Sequence, residues 1–242
     1  MTEPDNKPFF FDVEPARRDR QEFLDVHTSL HADGRRRPAV VFVHGGPAPE
    51  DQVPRPRDWE GFIGYGALAA ASGLVGVTFN HRLYTDLHYP LAANDVAAAV
   101  EQTRALDSVD PDRIGLWFFS GGGGLAADWL VQRPDWLSCV AWTYPVLVPP
   151  PGWPGDRERF DAVAAAASAP TLPKLLLRVG NDYEYFAQNQ DALVDAVRAQ
   201  GGDLEVIEVP TAEHGFERLG HDAESRAAVD RAMRWVAGTL LG

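Results

Sequence analysis

Ser120 follows an apolar run, Ile114-Gly115-Leu116-Trp117-Phe118-Phe119, and precedes four glycines, Gly121 to Gly124, before Leu125. A buried strand that turns abruptly into a helix lifts a serine hydroxyl out of the sheet, which is what a nucleophile requires. The helix predicted over Leu125–Val131 would complete that turn. The Gly121 N–H at its start would then face an oxyanion developing on an attacked carbonyl. A serine beside glycines also suits a flexible turn or a phosphate-binding loop. No G-K-[ST] follows and no lysine is near, so a P-loop reading fails. The common strand-turn-helix pattern is G-x-S-x-G, and Phe118 stands where its first glycine would be, so a bulky side chain must fit at a tight position.

Three other segments bear on the same chemistry. In Val209-Pro210-Thr211-Ala212-Glu213-His214-Gly215-Phe216-Glu217, a histidine suited to take the serine proton follows the last strand. His221, seven residues on, lies too close to the terminal helix to be preferred. In Leu175-Leu176-Leu177-Arg178-Val179-Gly180-Asn181-Asp182-Tyr183-Glu184, a strand ends in a turn with two carboxylates, either of which could orient an imidazole and stabilise its protonated form. Val40-Val41-Phe42-Val43-His44-Gly45-Gly46-Pro47 is a strand opening into a loop of small residues.

With these motifs the chain resembles the α/β-hydrolase superfamily, near its small esterases and dienelactone-hydrolase-like members, over residues 36 to 242. The resemblance implies that Ser120, Asp182 and His214 form a triad in that chain order, with Glu184 as the alternative acid. It also implies that the His-Gly-Gly loop supplies a second oxyanion donor beside Gly121. Pro47 has no N–H, so Gly46 is the expected group. Phe79-Asn80-His81-Arg82-Leu83 and Asp110-Pro111-Asp112-Arg113-Ile114 are further echoes, read as scaffold, with His81 and Arg82 expected in a local ion pair or backbone hydrogen bond.

The elements that must position these residues alternate between short β-rich runs and longer helical patterns, the signature of a mostly parallel sheet covered on both faces. Strands are expected at 39–43, 74–79, 114–119, 137–144, 175–179 and 204–209, several apolar at consecutive positions as doubly covered strands are. Phe9–Val13 and Leu24–Leu30 read as an antiparallel edge, with Asp33-Gly34 as a turn. Helices are expected at about 90–106, 186–200 and 223–241, their apolar stripes assigned to core packing. The fold class is therefore α/β, an α/β-hydrolase fold with a minimal cap, formed by one domain spanning 1–242. Residues 1–36 supply edge strands. Pro149-Pro150-Pro151-Gly152-Trp153-Pro154 must leave the sheet and open a short cap segment at about 149–172.

Composition narrows the partners. The 242 residues carry a net charge of −13 and are 45% hydrophobic. Such a charge argues against nucleic acid or an anionic membrane, each of which needs a basic patch. No run reaches the ~20 apolar residues of a membrane span. Cys139 is the single cysteine, which leaves no intramolecular disulfide or cysteine-rich zinc site and suits a reducing cytoplasm. No metal or organic cofactor is expected, and assembly into a homodimer stays open. The expected reaction is cleavage of a carboxylic ester or related acyl bond of a small substrate through an acyl-enzyme on Ser120. Tyr84, Phe118, Trp142, Tyr144, Trp153 and Tyr183 are the candidate pocket wall, about half of them expected to touch substrate. Two alternatives stand beside this. One is a lyase, cyclase or acyltransferase working on a biosynthetic intermediate with the same serine. The other is a non-catalytic ligand-binding homologue, favoured by Phe118.

Overall fold

The computed structural model describes residues 13–219 and 222–242. In chain order it contains β1 (Ala16–Arg20), β2 (Leu24–Ser29), β3 (Arg37–Val43), α1 (Glu60–Ala71), β4 (Val75–Phe79), α2 (Tyr89–Arg104), β5 (Val109–Phe119) and α3 (Ala127–Gln132). Then follow β6 (Leu137–Thr143), α4 (Ala162–Ala167), β7 (Lys174–Asn181), α5 (Glu184–Ala199), β8 (Leu204–Glu213), α6 (Phe216–Leu219) and α7 (Ala223–Leu241). The expected strand at Phe9–Val13 lies outside the described residues but for Val13, and His221 lies outside them too.

The strands form one eight-stranded sheet ordered β1-β2-β4-β3-β5-β6-β7-β8. β1 and β2 pair antiparallel, as do β2 and β4, and every other pairing is parallel. Parallel neighbours need crossovers, and the helices that provide them cover both faces. One face carries α2, α3, α4 and α5 over a core that includes Val96, Phe118, Leu130, Trp142, Leu176 and Leu193. The other carries α1 and α7 over Phe42, Tyr65, Trp117, Phe119, Val229 and Met233. Cys139 belongs to this second core, and burial pushes its thiol up to about 12, so it acts as a small apolar filler.

The expected antiparallel edge exists with a different partner. β2 pairs with Ala16–Arg20, a strand of sequence ARRDR whose charges suit an exposed edge. Arg18 and Arg20 both reach the fully buried Asp25 of β2. Asp33-Gly34 lies between β2 and β3, and Gly34 there adopts φ +75°. The helix expected at Leu125–Val131 begins earlier, as a 3-10 turn over Ser120–Ala126 that continues into α3. Helix α1 is not among those the periodicity picks out. Its three glycines weaken a helical reading, but Gly66 is required: a Cβ there would lie 2.5 Å from the His27 ring on β2. The chain gives up helix propensity at this point for close approach of α1 to the sheet.

Candidate active site

Ser120, Asp182 and His214 each come directly after the last residue of a strand: β5 ends at Phe119, β7 at Asn181 and β8 at Glu213. Open parallel sheets gather such residues along one edge. Ser120 Oγ lies 2.7 Å from His214 Nε2, and His214 Nδ1 lies 2.8 Å from Asp182 Oδ1. Ser120 has φ 46°, a left-handed conformation that is sparsely populated for a residue with a side chain. Its carbonyl accepts the Val146 N–H at 2.8 Å, and the Tyr89 hydroxyl donates to the Gly121 carbonyl at 2.6 Å, so partners from α2 and the β6–α4 connection hold the turn.

The Asp182 side chain is fully buried, and its two oxygens divide their work. Oδ1 accepts the Tyr183 N–H as well as the imidazole, and Oδ2 accepts the Gln190 amide at 2.9 Å. Glu184 instead starts α5, is exposed, and accepts a hydrogen bond from Gln188. The carboxylate on the imidazole is therefore Asp182.

The two glycine-bearing loops meet face to face. A Cβ on Gly121 would lie 1.9 Å from the Gly46 carbonyl oxygen, and one on Gly122 would lie 2.5 Å from the His44 carbonyl oxygen. That approach is why glycines follow the serine. Beneath the loop, the His44 and His81 rings stack at 3.5 Å. The His81 N–H donates to His44 Nε2 at 3.1 Å, so the His44 proton sits on Nδ1 and reaches the Gly45 carbonyl at 2.5 Å. The His81 Nε2–H reaches the His44 carbonyl at 2.8 Å, and its Nδ1 accepts the Leu83 N–H at 3.3 Å. The network is complete only with both rings neutral. Burial holds the His81 imidazole low, at about 4, and His44 well below its ordinary value. Arg82 pairs with Asp95 at 2.5 Å, in keeping with the scaffold reading of this segment.

A cavity of about 430 Å³ opens beside Ser120 and His214, lined also by Gly46, Trp59, Phe62, Tyr65, Phe119, Tyr144, Glu217 and Arg218. Of the six residues expected to wall it, only Tyr144 does. Phe118 and Trp142 are fully buried in the core under α2, on the sheet face away from the cavity. The strand alternates, so Trp117 and Phe119 point to the α1 side and Phe118 to the other, where its bulk is absorbed between Val43 and Trp142 in register. The turn thereby tolerates the missing glycine. Tyr84 is engaged by Arg55 and His88, and Trp153 packs on Tyr89 and Phe160. No residue of 149–172 lines the cavity, so the expected cap segment folds against the α2 side instead. Tyr183 is 65% exposed and flanks the imidazole from outside, its ring 5.6 Å from His214.

The wall that the sequence reading did not identify comes from α1 and from the residues just past the histidine. Trp59, Phe62 and Tyr65 recur at three-residue spacing along α1 and its N-cap, a helical signal that the intervening glycines obscure. Glu217 is buried and accepts hydrogen bonds from the Tyr65 hydroxyl at 2.7 Å and the Tyr144 hydroxyl at 2.5 Å. Burial raises its carboxyl above the ordinary range, against the two phenol donors. Among the described residues no group of His, Cys, Asp and Glu is arranged to hold a metal ion, and no helix is long and apolar enough to cross a membrane.

The BD-FAE family model matches residues 24–130, from β2 through the serine turn into α3. The chain matches no curated protein sequence. Its structure is similar to that of Thermogutta terrifontis esterase 2, with TM-score 0.70 and 18% identity over 90% of this chain and 91% of that one. It is also similar to a Pyrococcus horikoshii acylaminoacyl peptidase, with TM-score 0.73 and 15% identity, and to Porphyromonas gingivalis dipeptidyl peptidase 4, with TM-score 0.70 and 16% identity. It covers 95% and 93% of itself in those matches but spans only 42% and 35% of the two peptidases. The strand order, the crossovers and these likenesses agree: the chain has the α/β-hydrolase fold.

Proposed function

We propose that the protein is a serine hydrolase that cleaves an ester or related acyl bond of a small substrate through an acyl-enzyme on Ser120. The observation that carries this reading is the unbroken hydrogen-bond chain from Ser120 Oγ through His214 to the buried Asp182. Oγ attacks the substrate carbonyl while His214 Nε2 takes its proton, and Asp182 holds Nδ1–H and stabilises the imidazolium. The negative oxygen that forms is received by the Gly121 N–H and the Gly46 N–H. The imidazolium returns its proton to the leaving group. Water activated by the same histidine then attacks the acyl carbonyl and frees Ser120.

The fold neighbours support the chemistry in general terms: the Thermogutta esterase is recorded phosphonylated by sarin and phosphorylated by paraoxon. Tight burial of Phe118 away from the cavity removes the main argument for a non-catalytic homologue. The test is labelling with a fluorophosphonate together with hydrolysis of short p-nitrophenyl esters. The expected result is one adduct on Ser120, blocked by Ser120→Ala, with ester turnover that survives exhaustive chelation. A protein that takes no adduct at Ser120 would overturn the reading. Labelling with no ester hydrolysis would redirect it to a lyase, cyclase or acyltransferase on the same serine.

A further inference from the structure

Glu217 has no part in the chain from Ser120 to Asp182, yet it lines the same cavity at 9% exposure. A carboxylate taken out of water ordinarily finds a cation, and among the described residues no lysine or arginine is within ion-pairing distance of it. Arg218, the next residue, is exposed and lies over Trp59 at 5.8 Å, at the rim. Two phenols, Tyr65 and Tyr144, donate to Glu217, which spreads its charge over them without cancelling it. Three further rings, Trp59, Phe62 and Phe119, share the wall with Arg218, Pro47 and several glycines. Aromatic rings around a buried carboxylate form a site whose quadrupoles and charge both favour a cation and disfavour an anion. The Tyr144 ring joins this site to the reaction centre, since its centroid lies 4.6 Å from that of His214 while its hydroxyl meets Glu217.

Resting on the hydrolase reading above, we propose that the cavity selects small acyl substrates bearing an ammonium group, which Glu217 and its surrounding rings hold about one phenol ring away from the reacting carbonyl. The net charge of −13 would draw such substrates toward the protein and repel acidic ones. Glu217 is then a specificity-determining residue, and Tyr65 and Tyr144 are positioning residues that act through it.

The experiment compares two esters of one shape, acetylcholine and its uncharged carbon isostere 3,3-dimethylbutyl acetate, by kcat/KM. The cation is expected to be preferred by about tenfold or more, the scale of a desolvated cation–aromatic contact. Glu217→Gln should bring that ratio close to one. High salt separates this local site from the general field: a preference set by buried groups persists, and one set by surface charge is screened. A wild-type ratio near one, a ratio that collapses in high salt, or a ratio unchanged by Glu217→Gln would each overturn the proposal. Equal turnover of both esters leaves the hydrolase reading standing, whereas absence of fluorophosphonate labelling removes that reading first. If neither ester is cleaved, calorimetric binding of choline against 3,3-dimethylbutan-1-ol decides the cation site. Tighter binding of choline supports it, and equal or weaker binding overturns it.

Discussion

One side of the cavity is built from strand ends and the other from helix packing. Ser120, Asp182 and His214 are delivered by the carboxyl ends of β5, β7 and β8, so their meeting follows from strand order and register. Trp59, Phe62, Tyr65 and Glu217 are delivered by α1 with its N-cap and by α6, and their meeting depends on how closely α1 lies on the sheet. In the proposed mechanism the first arrangement needs rigid, short-range geometry, because a proton must move from Ser120 Oγ to His214 Nε2, 2.7 Å apart, while Asp182 holds the far side of the ring at 2.8 Å. The second needs only an enclosed surface of the right chemical character. On the proposed reading, chemistry and selectivity are therefore separable, and they should respond differently to substitution.

The largest effect that tests this separation is on the strand-end side. Ser120→Ala should lower kcat by about 10⁵-fold or more while leaving the thermal transition in place. Steady-state kinetics beside calorimetry checks it, and residual turnover near wild type would break the comparison. Asp182→Asn should cost about 10⁴-fold in kcat by favouring the wrong imidazole tautomer. Glu184→Gln, on the exposed start of α5, should change kcat less than twofold, on the order expected for a surface position. A reversed ranking of these two would move the acid to Glu184.

Next come substitutions of large side chains on opposite faces of the same sheet. Phe118→Ala should destabilise the fold by about 3–5 kcal/mol in denaturant titrations, with substrate preference unchanged, because Phe118 is core. Trp59→Ala is half-buried at the cavity rim and should do the opposite, raising KM by about tenfold with a stability loss of about 1 kcal/mol. Equal effects of the two on KM would mean that the cavity wall extends through the sheet.

The smallest effect is graded and concerns pH. His27, beneath α1, and His81, beneath the glycine loop, are both held at about 4, and His44 well below its ordinary value, with burial the leading cause in each. Folded pKa values depressed in this way mean that the unfolded chain binds more protons below about pH 6.5. The stability these neutral rings provide is complete above that pH and is lost as the pH falls toward 4, by about 1.4 kcal/mol per pH unit for each proton taken up. Glu217 acts in the opposite sense, since its raised pKa means the folded state keeps a proton more readily. Asp25, Asp33, Asp58 and Asp110, each held below the ordinary carboxylate range by arginine partners, act in the same sense as the imidazoles, so the net trend is acid destabilisation. Denaturant midpoints that stay constant from pH 7 to pH 5 would show that the buried rings do not behave this way.

Much of the reactive side could be read from residue order. A parallel strand buried on both faces is a continuous apolar run, and a turn at its end is marked by glycine, asparagine or proline, so Ser120, His214 and the turn holding Asp182 and Glu184 were each identifiable from their neighbours. The choice between Asp182 and Glu184 was not, because both carboxylates occupy one turn and only the direction in which α5 leaves it separates them. β1 was missed for a related reason: ARRDR has no apolar period, and what marks it as a strand is its antiparallel pairing with β2, where Arg18 and Arg20 reach Asp25.

The pocket wall was the least legible part. Ile114 to Phe119 is apolar at nearly every position, so no alternation in the sequence says that Phe119 faces the cavity and Phe118 does not. Trp153 belongs to a proline-rich segment that the chain alone suggests as a cover, and its packing on Tyr89 and Phe160 takes it elsewhere.

The order of residues by itself pointed to the fold class, to Ser120 and His214 as a nucleophile and base, to a turn holding two candidate acids, and to a net negative charge, because each depends on local pattern or simple charge. Tertiary structure alone decided which face of β5 the cavity uses, which carboxylate meets the imidazole, and that Glu217 is buried between two phenols. Those outcomes depend on contacts between residues as far apart as Tyr65 and Glu217, and no local period along a chain encodes a contact across 152 positions.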